Sequence, residues 1–229
     1  SFKSREDLKL RNETKAVITA YQQSMNKMRE AYRNGNAARK AMGDKAEIAN
    51  TQINALDTSV QQMADSPERF AQFQAVAQAK QEFLLARYEV RGYIANVNAD
   101  TEAQAAAQIE KAISGLKNLS AVFGTSQQGA LASLETALGA YRTAVQSYKA
   151  ANANIVTARA EMTTQGADIV TISDKLYEIQ LDRRDAESAQ ARNLQLISTL
   201  LALLVGIIAA LVITRQITRP IQDTLAVVE

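Results

Sequence analysis

The chain contains no cysteine and no histidine. Disulfides, thiol nucleophiles, imidazole metal ligands and the usual general base are thereby excluded, leaving carboxylates as the main source of acid–base chemistry. Tryptophan is absent too, and only two prolines and nine glycines punctuate the 229 residues. So few breakers, in a sequence rich in Ala, Gln, Glu, Lys, Leu and Arg, predict long helices and little else. Basic side chains number 26 and acidic ones 24, and neither kind is clustered. Nucleic-acid binding needs a basic face, and no block supplies one. No glycine-rich phosphate loop, nucleophile elbow or metal-ligand spacing occurs. Asp182 and Asp185 are paired carboxylates, but Arg183 and Arg184 between them mark a solvated helix face. The expectation is a protein that is not an enzyme, with no catalytic residue, metal or cofactor. The opening "SFKSREDLKLRNETKAV" also lacks the apolar core of a secretory leader. Given the membrane-grade segment at the other end, we expect an N-terminally truncated chain.

That segment is "LQLISTLLALLVGIIAALVI", residues 194–213, with no charge. At about 1.5 Å per residue it covers a hydrocarbon core of roughly 30 Å. It predicts a transmembrane helix over 194–214. Arginines lie on both sides of it, so the positive-inside count does not orient it. The remainder, 1–193, reads as helix broken at three places. In "ADSPERF", Ser66 is an N-cap and Pro67 the first helical residue. In "NADTEAQ", Asp100 or Thr101 is the expected cap, and in "FGTSQQG" it is Ser126. These breaks predict helices of about sixty, thirty, twenty-five and sixty-five residues, in the order long, short, short, long. The long ones also resemble each other at an offset of 120. "AYQQSMNKMREAYRNGNAARKAM" from Ala20 and "AYRTAVQSYKAANANIVTARAEM" from Ala140 share Ala31/Ala151, Asn34/Asn154, Ala38/Ala158, Arg39/Arg159 and Met42/Met162. Such self-similarity points to two copies of one helical unit.

The last residues, "ITRQITRPIQDTLAVVE", resemble the start of a HAMP linker, through Arg215, Ile217, Pro220, Ile221 and Leu225. The long-short-short-long plan resembles the helical bimodular sensor domain of bacterial chemoreceptors. "ARYEVRGYIANVNADTEAQAAAQIEKAISGLKNL" (86–119) and "LETALGAYRTAVQSYKAA" also resemble the wider class of four-helix-bundle receptor sensors. The resemblance implies an all-α fold of long antiparallel helices forming stacked four-helix bundles, with the first helices missing. It implies a periplasmic sensor domain over 1–193 with a distal bundle at about 35–160, then the transmembrane helix in the inner membrane and the start of a HAMP linker at 215–229. It further implies a homodimeric methyl-accepting receptor that reaches a cytoplasmic kinase and adaptor through parts outside this chain. Its ligand would be a small organic anion, a carboxylate such as a citric-acid-cycle intermediate or acetate. A histidine kinase or cyclase with the same outer fold, a module reading a periplasmic binding protein, and an anchored structural coiled coil are the alternatives.

Anion binding in a bundle requires cations on an inward face. In "LLARYEVRGYI", residues Leu84, Arg87, Tyr88, Arg91 and Ile94 or Ala95 share one helical face. Two arginines one turn apart grip a carboxylate bidentately. Equally, they pair with acids such as Glu82 or Glu89, or reach solvent. Arg39, Lys45, Lys149 and Asn152 come to similar heights if the long helices fold back on each other. The expected ligand-binding set is therefore Arg39, Lys45, Arg87, Tyr88, Arg91, Lys149 and Asn152.

Overall fold

The computed structural model describes residues 5–213, and the matching HAMP positions from Arg215 onward lie outside them. Four helices make up this part: α1 (Arg5–Gln61), α2 (Pro67–Ala95), α3 (Ala99–Phe123) and α4 (Gln128–Ile213). No strand occurs among the described residues. The scarcity of breakers has the effect the composition predicts, since Gly35 and Gly43 both lie inside α1 without interrupting it.

The turns are set by local hydrogen bonds. Ser66 caps α2, its hydroxyl accepting from the Arg69 N–H, and Pro67 occupies the first turn, where its missing N–H costs nothing. At α3 the cap is Asn98 rather than Asp100 or Thr101. Its side chain accepts from the N–H groups of both Asp100 and Thr101, and Thr101 returns the favour by accepting from the Asn98 N–H. Asn98 takes the role because its amide oxygen sits one residue before the first helical position, where the orphan donors point. Ser126 caps nothing. Its hydroxyl turns back to donate to the Phe123 carbonyl at 2.7 Å, while Gln127, at φ 88°, redirects the chain into α4.

Contacts divide the chain into two compact units, Ile18–Gly166 and Ser1–Val17 with Ala167–Glu229. The first is an up-down-up-down four-helix bundle. Partners such as Ser24 with Glu161 and Gly35 with Ala151 show α1 and α4 running antiparallel. At Gly35 the helices approach so closely that a methyl group there would meet the Ala151 Cβ at 3.6 Å. Each helix offers a stripe at three- and four-residue spacing. On α1 it is Ala38, Met42, Ala46, Ala49, Ile53, Leu56 and Val60, and on α4 it includes Leu134, Leu138, Tyr141, Val145 and Tyr148. Two edge-to-face aromatic pairs, Phe83 with Tyr141 and Tyr93 with Tyr148, join α2 to α4 across the interior. Solvent-accessible ion pairs such as the half-buried Lys80–Asp57 and the exposed Arg142–Glu110 link neighbouring helices, each contributing at most about 1 kcal/mol.

In the second unit, Leu10 and Ile172 are buried, and the residues of the 194–212 run are all exposed. This C-terminal part of α4 is long and apolar enough to cross a membrane. Of the two stacked bundles expected, the described residues hold one complete. The second unit takes its described residues from the start of α1 and from α4 after Gly166.

Candidate functional site

α2 turns a different face inward from the one its arginines suggest. Its buried stripe is Gln72, Ala75, Val76, Ala79, Phe83, Ala86, Val90 and Tyr93. Leu84 and Tyr88 point to solvent, with Tyr88 70% exposed. The physical reason is that Phe83, Ala86, Val90 and Tyr93 form an uncharged stripe one position round from the arginines. Burying that stripe avoids desolvating two guanidiniums. Arg87 and Arg91 are thereby placed at the edge of the core, with Arg87 half-buried and Arg91 exposed.

At that edge they meet Arg39. A cavity of about 230 Å³ is lined by Arg39, Met42, Gly43 and Ala46 from α1, by Arg87, Val90, Arg91 and Ile94 from α2, and by Tyr141 from α4. Three arginines thus line one pocket together with the apolar side chains of Met42, Ala46, Val90 and Ile94. Among the described residues, no carboxylate lies within ion-pair distance of any of them. Glu82, a conceivable partner, accepts instead from the Gln108 amide. The guanidinium of Arg87 rests 5.9 Å from the centre of the Phe83 ring, which fixes its approach to the pocket. Tyr141 is 3% exposed, and burial pushes its hydroxyl up to about 12, against the opposing pull of Arg87 and Arg91. Its phenol therefore stays protonated at neutral pH and can only donate or accept a hydrogen bond there.

The other expected residues are dispersed. Lys149 reaches Glu102 on α3 at 2.6 Å. The Asn152 amide donates to the Tyr148 carbonyl one turn back, at 2.9 Å. Lys45 lines a separate cleft with Ile48, Ala132, Ser133, Thr136 and Ala137. Tyr141 is the residue that spacing arguments missed. Its one sequence signal was the Ala-Tyr pair at Ala140–Tyr141, which matches Ala20–Tyr21 in the internal repeat. A second polar cluster lies between α1 and α4. The buried Ser24 donates to Glu161 at 2.8 Å and Lys27 donates to the same carboxylate at 3.0 Å. The Ser24 hydrogen bond first, and the Lys27 one next, hold the Glu161 carboxyl below its usual value.

The helical part of the chain has a counterpart among known families. Residues 1–191 match the family described as the helical bimodular sensor domain. The chain belongs to that family. This sensor domain is also 50% identical over 230 residues to the methyl-accepting chemotaxis protein McpS of Pseudomonas putida, an alignment covering 100% of this chain and 36% of that protein. It is 32% identical over 213 residues to methyl-accepting chemotaxis protein McpQ of the same species, covering 93% and 33% respectively. The sensor domain and its apolar helix thus span about a third of the length of the curated relatives they match.

Proposed function

We propose that this chain is the ligand-sensing and membrane-spanning part of a methyl-accepting chemotaxis receptor, and that it binds a small carboxylate between α1, α2 and α4. One observation carries the ligand class: Arg39, Arg87 and Arg91 line one cavity and, among the described residues, have no carboxylate within ion-pair distance. An anion there gains charge-assisted hydrogen bonds from two helices at once, and the planar forks of the guanidiniums match a carboxylate. The Tyr141 hydroxyl adds a neutral hydrogen-bonding group from a third helix. The apolar floor of Met42, Ala46, Val90 and Ile94 accommodates a short carbon chain.

Signalling follows from which elements the ligand joins. α4 carries both Tyr141 and the apolar run. A carboxylate that draws Arg39, Arg87 and Tyr141 together favours one relative setting of α1, α2 and α4 over another. A shift of an ångström or two of α4 is the type of displacement that helical receptors pass along. Its size is limited by the difference in ligand affinity between the two settings. In this reading the bundle is periplasmic, the 194–214 helix lies in the inner membrane, and the 215–229 residues begin a HAMP unit. Receptor copies pair, and kinase and adaptor act on parts outside this chain.

Calorimetric titration of the detergent-solubilised chain with carboxylates of two to six carbons tests the site. Saturable binding is expected, and Arg91→Ala or Arg87→Ala should weaken it by about ten- to a hundred-fold, the loss of a charge-assisted hydrogen bond or two. Lys45→Ala should leave it unchanged. The carboxylate site is refuted if no member of the panel binds, or if binding is indifferent to both arginine changes.

A further inference from the structure

Two glycines lie inside α1, and only one of them has a packing reason. A methyl group at Gly35 would meet the Ala151 Cβ at 3.6 Å, so that residue serves the close approach of α1 to α4. A Cβ built at Gly43 would meet nothing within 4 Å. Its backbone is ordinary helix, and no positive φ requires glycine there. Inside a helix glycine is destabilising relative to alanine, because it has more conformational freedom to lose on folding. Neither the backbone nor a neighbouring atom accounts for that cost at Gly43. The cavity between α1, α2 and α4 does. Gly43 lines it together with Arg39 and Ala46 of the same helix. Those two residues stand four before it and three after it, on one helical face. A side chain at this position would leave the helix in the direction theirs take, towards Arg87 and Arg91 on α2. The space that the missing Cβ leaves free is thus part of the volume open to a ligand.

We infer that Gly43 sets the length of the anion that this cavity accepts. The inference rests on the carboxylate reading above and refines it. Arg39, Arg87 and Arg91 attract any carboxylate, whatever is attached to it. Discrimination must then come from the room left for the carbon chain. That room is bounded by Met42, Ala46, Val90, Ile94 and the bare backbone of Gly43. A methyl group on Gly43 removes volume and leaves all three positive charges in place. One methylene more or less in an apolar pocket changes affinity by about ten- to two-hundred-fold, so a single added carbon suffices to move the limit. A larger side chain closes the cavity altogether. Gly43 thus acts by exclusion, through what it withholds from the pocket, and the arginines act by attraction.

The test is calorimetric titration of the detergent-solubilised chain with straight-chain mono- and dicarboxylates of one to six carbons. Native protein is compared with Gly43→Ala and Gly43→Leu. Gly92→Ala is the control, since Gly92 is equally free of neighbours but does not line the cavity. In Gly43→Ala the longest acid that the native chain accepts should bind at least about tenfold more weakly, and the shortest should stay within about threefold. Gly43→Leu should weaken every acid by at least about tenfold. Gly92→Ala should keep the native affinities. Urea unfolding of the same proteins should give midpoints for both Gly43 variants at or above the native one, as helix propensity predicts. A lower midpoint would show that the new side chain meets protein rather than open space, and overturns the inference. So does a Gly43→Ala chain whose affinities all change by one factor, or do not change. The two readings fail separately. Native binding with an unaltered length limit in Gly43→Ala removes the role of Gly43 and leaves the carboxylate site standing. A native chain that binds no acid removes the site and the length limit together.

Discussion

Tyr141 shows how much a single residue in the bundle depends on its neighbours. The sequence offers a tyrosine on an alanine-rich helix. The fold buries it edge-on to Phe83 and beside two arginines. Its pKa, raised by burial to about 12, makes a pH prediction whose sign can be worked out. The folded protein holds this proton longer than the unfolded chain, where a phenol titrates near about 10. The contribution to stability is therefore complete below about pH 10 and is lost as pH rises towards 12, by at most about 2–3 kcal/mol. Urea unfolding followed across pH 9–12 should show a smaller loss of stability in Tyr141→Phe than in the native chain. Identical pH profiles would mean that the phenol is not desolvated as described. The arginines around it were visible in the sequence as charges one turn apart, yet their placement was not. Lys149 and Asn152 came next to them in the sequence, but one is tied to Glu102 and the other to its own helix.

Among the elements, the helices were legible and their caps less so. α1, α2 and α3 have close to the expected lengths, because proline and clusters of turn-forming residues are reliable local stops. The α3 cap moved from Asp100 or Thr101 to Asn98 because several neighbouring side chains are competent acceptors, and only the backbone path selects among them. Asn98→Ala should destabilise the bundle by about 1 kcal/mol, as judged by chemical unfolding, since two N–H groups lose their shared acceptor. Asp100→Ala should change it far less. The face chosen by α2 illustrates a second limit. Two overlapping stripes were available, and the arginine-bearing one lost because burial of charge without a partner costs more than exposure of Leu84 and Tyr88.

For the whole molecule, the apolar run at 194–213 is the feature with the widest consequence. Its residues up to 212 are exposed, and it is long and apolar enough to cross a membrane. In the reading proposed here, the sensor bundle and the residues after the run lie on opposite sides of the membrane. An Ala189→Cys chain in inverted inner-membrane vesicles should therefore resist a membrane-impermeant maleimide until the vesicles are opened, while Thr224→Cys should react at once. The reverse pattern would place the bundle in the cytoplasm and end the receptor reading.

By itself the sequence determined the helical class, the long-short-short-long order and the membrane-grade run. These depend on composition, on local breakers and on the three- and four-residue spacing of apolar side chains, all of which act over one or two turns. Tertiary structure alone decided that Arg39, Arg87 and Arg91 share a cavity with Tyr141, that Lys149 is neutralised across a helix pair, and that Tyr88 faces outward with Leu84. Those outcomes depend on how helices up to a hundred residues apart in the chain are turned about their own axes. That rotation is fixed by burying the least costly stripe of every helix at once, and no single helix contains the information to choose it.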